Sequence, residues 1–225
     1  MLFYEKIFNF PLIRKILYIV SMLGQIGRLK KKFHFDPATL NKLFATLACD
    51  KTGISLDLGS GPAPRNPFNA AKVYGADLRS KESNNVIYAD FSSGLLPFNN
   101  EMFDFVTAYD VLEHIQRAVS KNKKPTYPFI SLINEIFRVL KPGGIFFSIQ
   151  PCYPAKQAFQ DPTHVNIMTE DTMYLYFCEP AWARIYGYDG SFKLLNDGWL
   201  GDKYFAFLKK SAKHPVKDLE FVQKW

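Results

Sequence analysis

Between residues 53 and 150 short apolar stretches return at intervals, and most of them stop at an acid. GISLDLG (53–59) comes first, followed by VYGADL (73–78), VIYADF (86–91), FDFVTAYD (103–110) and IFFSIQ (145–150). Each has the length and the β-branched or aromatic content of a strand. Helical patterns lie before and among them. ISLINEIFRVL (130–140) puts Ile130, Ile133, Ile136, Phe137 and Leu140 on one helical face. DPATLNKLFATLA opens with Asp36 as N-cap and Pro37 at the first helical position. KPGG (141–144) reads as a turn, and Thr169 with Thr172 is a weak capping signal ahead of a helix in TEDTMYLYF. FKLLNDGWL and YFAFLKK look like a closing antiparallel pair. Strand–helix alternation of this kind predicts an α/β domain with a parallel sheet and helices on both faces.

The chain of 225 residues suffices for one large domain and is short for two. Its net charge of +7 gathers at the ends: residues 1–35 carry seven Lys/Arg against one Glu, and 201–225 carry six against three acids. The middle is slightly acidic, so no basic stripe crosses the expected site, and no nucleic-acid partner is expected. Cys49, Cys152 and Cys178 are widely spaced with no CxxC, which favours a reducing, cytoplasmic setting over a disulfide framework or a zinc site.

Residues 1–35 read as a basic, apolar helical extension, and 36–225 as the main domain. Within FPLIRKILYIVSMLGQIGRLKKKF (10–33) the uninterrupted apolar run, 16–27, is too short to span a bilayer, and no cleavage site precedes RLKKK. Two readings stay open. The segment lies on the anionic inner face of a membrane, or it packs on its own domain or on a second copy of the chain as a homodimer.

The loop after the first strand, in LDLGSGPAPRNPF (56–68), sits where parallel sheets bind ligands. Gly59 and Gly61 let the backbone approach a ligand closely. No Gly-Lys-Ser/Thr follows, which excludes a P-loop, and Pro64 stands where a dinucleotide loop has its last glycine. Asp57 lies two residues before the first glycine, Asp77 ends the next strand, and Asp90 with Phe91 ends the one after. A carboxylate at a strand tip can accept from both ribose hydroxyls, and an acid beside a ring suits adenine. An acid at the root of the loop repels a pyrophosphate and suits an ammonium or sulfonium. The charges thus favour a cationic nucleoside over NAD, and an oxidoreductase is the weaker reading.

LDLGSGPA, YGADL, ADF, FDFVTAYDVLEHI and EIFRVLKPGGIFF together resemble the class I S-adenosylmethionine-dependent methyltransferases, across roughly residues 37–210. The resemblance implies a Rossmann-like, seven-stranded, mostly parallel sheet whose last strand is antiparallel, with S-adenosyl-L-methionine as cofactor. It places Asp57, Gly59 and Gly61 at the amino-acid part of the cofactor. Asp77 with Leu78 falls at the ribose, Asp90 and Phe91 at the adenine, and Tyr109 beside the methionyl part. Ala63 departs from the pattern, standing where many members have a third glycine. Spacing assigns Arg65 no role. PRNPFNA, TAYDVLEHI, YPFISLINEIFRVLKPGG and AFQDPTHVNIMTEDT are similar to methyltransferases of bacterial surface-polysaccharide and glycan modification. That likeness implies O-methylation of a sugar or glycan-linked small acceptor. A lipid-soluble acceptor, such as a quinone or a polyprenyl-linked sugar, is the main rival, and a non-catalytic binding module on the same fold is a third reading.

Methyl transfer needs alignment of two substrates, exclusion of water and, for a hydroxyl acceptor, removal of a proton. His164, in QDPTHVN after the fifth strand, is the first candidate base, with Asp161 as its orienting partner. His114 in DVLEHI is the second, with Glu113 beside it lining the acceptor pocket; otherwise these side chains fix loops. Asp110, Glu113, His114, Asp161 and His164 could supply metal ligands on paper, but scattered acids and histidines around a cleft usually stay unmetallated, and no metal is expected. The aromatic residues between Tyr174 and Phe192 read mainly as core, with a subset free to stack on a sugar.

Overall fold

The computed structural model describes residues 34–48, 52–79, 85–121 and 123–211. The basic extension, including the 10–33 segment, lies outside the described residues. The fold is that of the unit Phe35–Trp225.

Helix α1 (Pro37–Leu47) starts where Asp36 accepts the Thr39 backbone N–H at 2.9 Å and the Thr39 hydroxyl at 2.7 Å. Strands β1 (Ile54–Leu58), β2 (Lys72–Asp77), β3 (Val86–Tyr88) and β4 (Phe103–Tyr109) follow. A small hairpin, β5 (Val119–Lys121) with β6 (Lys124–Thr126), precedes helix α2 (Pro128–Val139). Then come β7 (Leu140–Pro151), the short helices α3 (Gln157–Gln160) and α4 (Thr172–Phe177), and the pair β8 (Phe192–Leu200) and β9 (Lys203–Lys210). The sheet order is β3-β2-β1-β4-β7-β9-β8, and only β9 runs against its neighbours. The expected seven-stranded sheet with an antiparallel last strand is therefore present.

Period-two alternation sorts the strands between two cores. On one face Leu56, Leu58, Val106, Ala108, Phe146, Ala206 and Leu208 pack with Ile130, Ile133 and Ile136 of α2. On the other, Phe105, Ile145, Phe147, Ile149, Phe205 and Phe207 pack with Leu40 and Phe44 of α1. Burial on both faces explains why FDFVTAY and IFFSIQ are nearly continuous apolar runs. It also accounts for many of the phenylalanines: the Phe44 ring lies edge-on to Phe68, Phe147 and Phe207, with centroids 4.7–5.1 Å away. Arg138 fastens α2 to the preceding loop, with its guanidinium donating to Glu135, the Leu96 and Phe98 carbonyls and Asn100.

The Thr169–Thr172 capping signal is present, with the Thr172 hydroxyl accepting the Thr169 backbone N–H at 2.9 Å just ahead of α4. KPGG, read as a turn, is absorbed into β7 as an irregularity, since pairing with β4 jumps from Phe103↔Leu140 to Phe105↔Ile145. A second difference matters more. The crossover from β1 to β2, residues 59–71, contains no helix. Pro62, Pro64 and Pro67 remove three amide donors from a short stretch and block the α conformation before each. Asn66 closes this loop on Ala70, accepting its N–H at 2.8 Å and donating to its carbonyl at 2.9 Å. Phe68 is then fully buried and stacked on Phe105 at 4.2 Å, covering the sheet where a helix would lie.

Candidate functional site

The chain reverses its direction across the sheet between β1 and β4, so ligands are expected outside the carboxyl ends of those two strands. The loop there is built from the backbone. Gly59 and Gly61 both adopt left-handed conformations, φ +64° and +57°. Gly59 N–H donates to the Ala76 carbonyl at 2.8 Å, and Gly61 N–H donates to Asp77 Oδ2 at 2.8 Å, which ties the loop to the tip of β2. A Cβ on Gly59 would strike the Val111 side chain, whereas one on Gly61 would meet nothing within 4 Å. Gly61 thus borders open space that a ligand can fill.

Asp77 is almost completely buried and also accepts the Arg79 N–H at 2.8 Å. Burial pushes its pKa up, but the two backbone N–H donors and the Arg79 guanidinium outweigh it and hold the carboxyl below its ordinary value. Each carboxylate oxygen keeps a further lone pair for a ribose hydroxyl. Leu78 beside it is 56% exposed, an apolar surface at the strand tip.

Asp57 departs from the expected role. It is fully buried, with Oδ1 accepting the Thr107 hydroxyl at 2.7 Å and Oδ2 accepting the Arg65 N–H at 2.8 Å. The Arg65 guanidinium stands 3.6 Å from Oδ2 and 4.7 Å from the centre of the Tyr109 ring. Asp57 therefore anchors the loop from beneath and does not face a ligand. Burial raises its pKa despite those donors. Phe91 is a second correction: its ring lies in the core under α2, 8% exposed, and presents no stacking face to an adenine. Asp90 caps the turn Phe91–Ser93, taking the Ser92 N–H at 2.9 Å and hydroxyl at 2.6 Å. Tyr109 ends β4 half-buried between Arg65 and Phe147. The next residue, Asp110, holds φ +55° and accepts Lys203 Nζ at 2.6 Å.

The loop after β4 joins this cradle to a second cluster. Val111 touches Gly59, and Glu113 and His114 follow directly. His114 and His164 meet edge-to-face at 4.9 Å. The Asp161 carboxylate lies 4.0 Å from His164 Nε2 and accepts the Thr163 N–H and hydroxyl at 2.8 and 2.7 Å. Thr163 in turn contacts His114 Nδ1, through its hydroxyl at 3.0 Å and its carbonyl at 3.2 Å. His164 Nδ1 faces the Ala158 carbonyl at 3.3 Å. A carbonyl only accepts, so a hydrogen bond at either contact uses an Nδ1–H and points Nε2 away from it. Asn166 locks the two loops together, its N–H on the Glu113 carbonyl at 2.9 Å and its side-chain NH2 on the Leu112 carbonyl at 3.0 Å.

Glu113 carries more weight than its sequence position suggested. It is 1% exposed, and neither carboxylate oxygen has a hydrogen-bond partner among the described residues. Burial, reinforced by the nearby Asp110 and Asp161 charges, pushes its pKa up to about 7 against its own backbone N–H and the pull of Lys203. Arg65, Thr107 and Lys203 are the other site residues that spacing did not single out.

With this geometry in view, comparison with known proteins is informative. Residues 56–148 match the family described as "Methyltransferase domain". The matched stretch runs from β1 into β7 and contains the glycine loop and the strand-tip acids described above. Among curated proteins, the demethylmenaquinone methyltransferase of Lactococcus lactis subsp. lactis (strain IL1403) is 29% identical over 125 residues. The alignment covers 51% of this chain and 45% of that protein, so the chain spans less than half of that relative's length. Among solved structures, a chain in the complex of the Haloferax volcanii Trm112 methyltransferase activator with a methyltransferase superposes with TM-score 0.53 at 13% identity, covering 77% of this chain and 89% of that one. A SAM-dependent methyltransferase from Aquifex aeolicus gives 0.51 at 14% identity, covering 83% and 97%. These two likenesses bear on the fold.

Proposed function

We propose that the protein transfers a methyl group from S-adenosylmethionine to an oxygen of a sugar or glycan-linked small acceptor. The observation that carries this reading is the contact between the two halves of the site. The Gly59–Gly61 cradle, tied to Asp77, touches Val111, and that loop delivers Glu113 and His114 to the His164–Asp161 pair. The cradle fits the cofactor: Gly61 leaves room for it, ionised Asp77 has lone pairs for the ribose, and Leu78 offers an apolar flank. When bound, S-adenosylmethionine supplies a methyl group on a sulfonium, whose departure leaves a neutral thioether.

The chain's own work is alignment and proton removal. Holding two reactants in line can supply about 7–11 kcal/mol of the barrier. His164 Nε2 is the group that takes the acceptor's proton, and Asp161 at 4.0 Å stabilises the imidazolium that results. Exposed Tyr153 and Phe159, with ring centres 6.5 Å apart just past β7, offer a surface for a sugar ring.

A quinone or other lipid-soluble acceptor is the second reading, and the similarity to demethylmenaquinone methyltransferase favours it. The basic 10–33 segment, proposed as a peripheral membrane contact, suits the same reading. Among the described residues no helix is long and apolar enough to cross a membrane.

The test is calorimetric titration with S-adenosylmethionine, followed by methyl-transfer assays on nucleotide sugars and on demethylmenaquinone in anionic vesicles. Binding with turnover on the sugars supports the first reading, and turnover on the quinone alone supports the second. No binding to the cofactor or its demethylated product sinks the assignment and leaves a partner-binding module.

A further inference from the structure

We propose that Glu113, His114 and His164 form a binding site for one divalent transition-metal ion, of the zinc or iron(II) kind. One potential ligand atom from each of the three residues lies within 4.8 Å of the others. Three residues at that spacing on the surface would mean little, but this set has two further properties.

The first is the unpartnered carboxylate. Glu113 is buried to 1% exposure and no other residue donates to either of its oxygens, so burial disfavours its charged form. Lys203, whose charge acts on it, is committed to Asp110 at 2.6 Å. A cation held between Glu113 and the histidines removes that deficit.

The second is the tautomer geometry. Histidines that bind metal usually donate their other ring N–H to a carbonyl or carboxylate, which fixes the ring and raises its basicity. His114 Nδ1 has the Thr163 carbonyl at 3.2 Å, and His164 Nδ1 has the Ala158 carbonyl at 3.3 Å. A hydrogen bond at each contact leaves Nε2 as the nitrogen with the lone pair to offer. Asp161 adds negative charge close by without joining the set, its Oδ1 already taken by Thr163.

Two imidazoles and one carboxylate form a donor set typical of zinc and non-haem iron(II), with coordination positions left over for an exogenous oxygen. The proposal deepens the methyltransferase reading and rests on it for its purpose: an open position next to the cofactor cradle would receive the acceptor oxygen and lower the pKa of its hydroxyl. With the ion in place His164 is a ligand, and the proton it would otherwise take passes to the Asp161 carboxylate, whose Oδ2 lies 4.0 Å from His164 Nε2. The residues 141–144 and the hairpin take no part, and no cysteine is needed.

The experiment uses the full chain, stripped with a chelator and titrated with Zn2+ by calorimetry and with Co2+ by visible absorption. We expect one saturating equivalent and a cobalt d–d band. His114→Ala and His164→Ala should each lose about tenfold or more in affinity and lose the band. His114 is exposed, so its variant keeps the fold even if a change at buried Glu113 does not. His34→Ala, outside the cluster, should bind as the parent does. No saturable binding by the parent chain, or binding that both cluster variants retain, overturns the site. A parallel S-adenosylmethionine titration separates the two readings: the metal site stands or falls on the cation titrations, and the methyltransferase reading on the cofactor titration.

Discussion

Replacing Thr107 with valine tests how the cofactor loop is held. The change is nearly isosteric, so no cavity opens, yet it strips Asp57 Oδ1 of its 2.7 Å hydroxyl donor at a site where both residues are fully buried. A hydrogen bond to a charged buried group contributes about 1.5–3 kcal/mol. For a domain of this size each kcal/mol moves Tm by about 2–4 °C, so Thr107→Val should melt about 3–12 °C below the parent at neutral pH. The pH dependence sharpens the test. Burial already raises the Asp57 pKa above its ordinary value, so the folded state is favoured by protonation of this group, and that advantage fades as pH rises through the folded pKa. Loss of the Thr107 donor raises the folded pKa further. The variant's deficit should therefore be smaller in acid, below the folded pKa, than at neutral pH. Asp57 also grips the Arg65 N–H, so S-adenosylmethionine affinity should fall with stability. Thermal unfolding at both pH values, with calorimetry of cofactor binding, reads all three effects. A variant as stable as the parent at neutral pH, or a deficit that shrinks with rising pH, would refute the anchoring role of Asp57.

Asp77→Ala should weaken S-adenosylmethionine by about tenfold or more in a calorimetric titration, since hydrogen bonds to a charged acceptor are at stake. Gly59→Ala and Gly61→Ala should separate stability from binding. Both incur about 1–2 kcal/mol of left-handed strain, but only the first also strikes Val111, so it melts lower, while the second places a methyl in the open cradle and loses cofactor affinity out of proportion to its Tm. Phe44→Ala, which empties the centre of the α1 core, should cost about 3–5 kcal/mol in urea unfolding. Asp77 sits below its ordinary pKa of 3.8, so its stabilising contribution is present above that value and vanishes as pH falls through the folded value; acid unfolding of Asp77→Asn should lack this component.

What could be read before the structure divides along physical lines. The strands and α2 were legible because burial on two faces or one leaves a direct pattern of apolar residues, as in FDFVTAY and ISLINEIF. Asp77 and the two glycines were legible because their position at strand tips follows from the alternation alone. Asp57 was misread because sequence shows an acid near a loop but not the depth at which it sits; Thr107 and Arg65, fifty and eight residues away, determine that it faces inward. Phe91 was misread for the same reason. Glu113 was seen only as a lining residue, since a missing hydrogen bond is a property of the packed interior and has no sequence signature. The helix-free crossover was foreshadowed by its prolines, but that Phe68 covers the sheet there depends on Phe105, thirty-seven residues on.

That crossover also determines the field the cofactor meets. A helix beginning after Gly61 would aim roughly half a positive charge at the cradle through its unpaired N–H groups. The proline-braced loop aims no such dipole, and Gly59 and Gly61 spend their N–H groups on Ala76 and Asp77. At the tip of β2, Asp77 is faced by the Arg79 guanidinium at 3.6 Å, so the loop presents neither a helix dipole nor the Gly59 and Gly61 amides to a doubly charged pyrophosphate. A donor carrying a sulfonium needs neither of them.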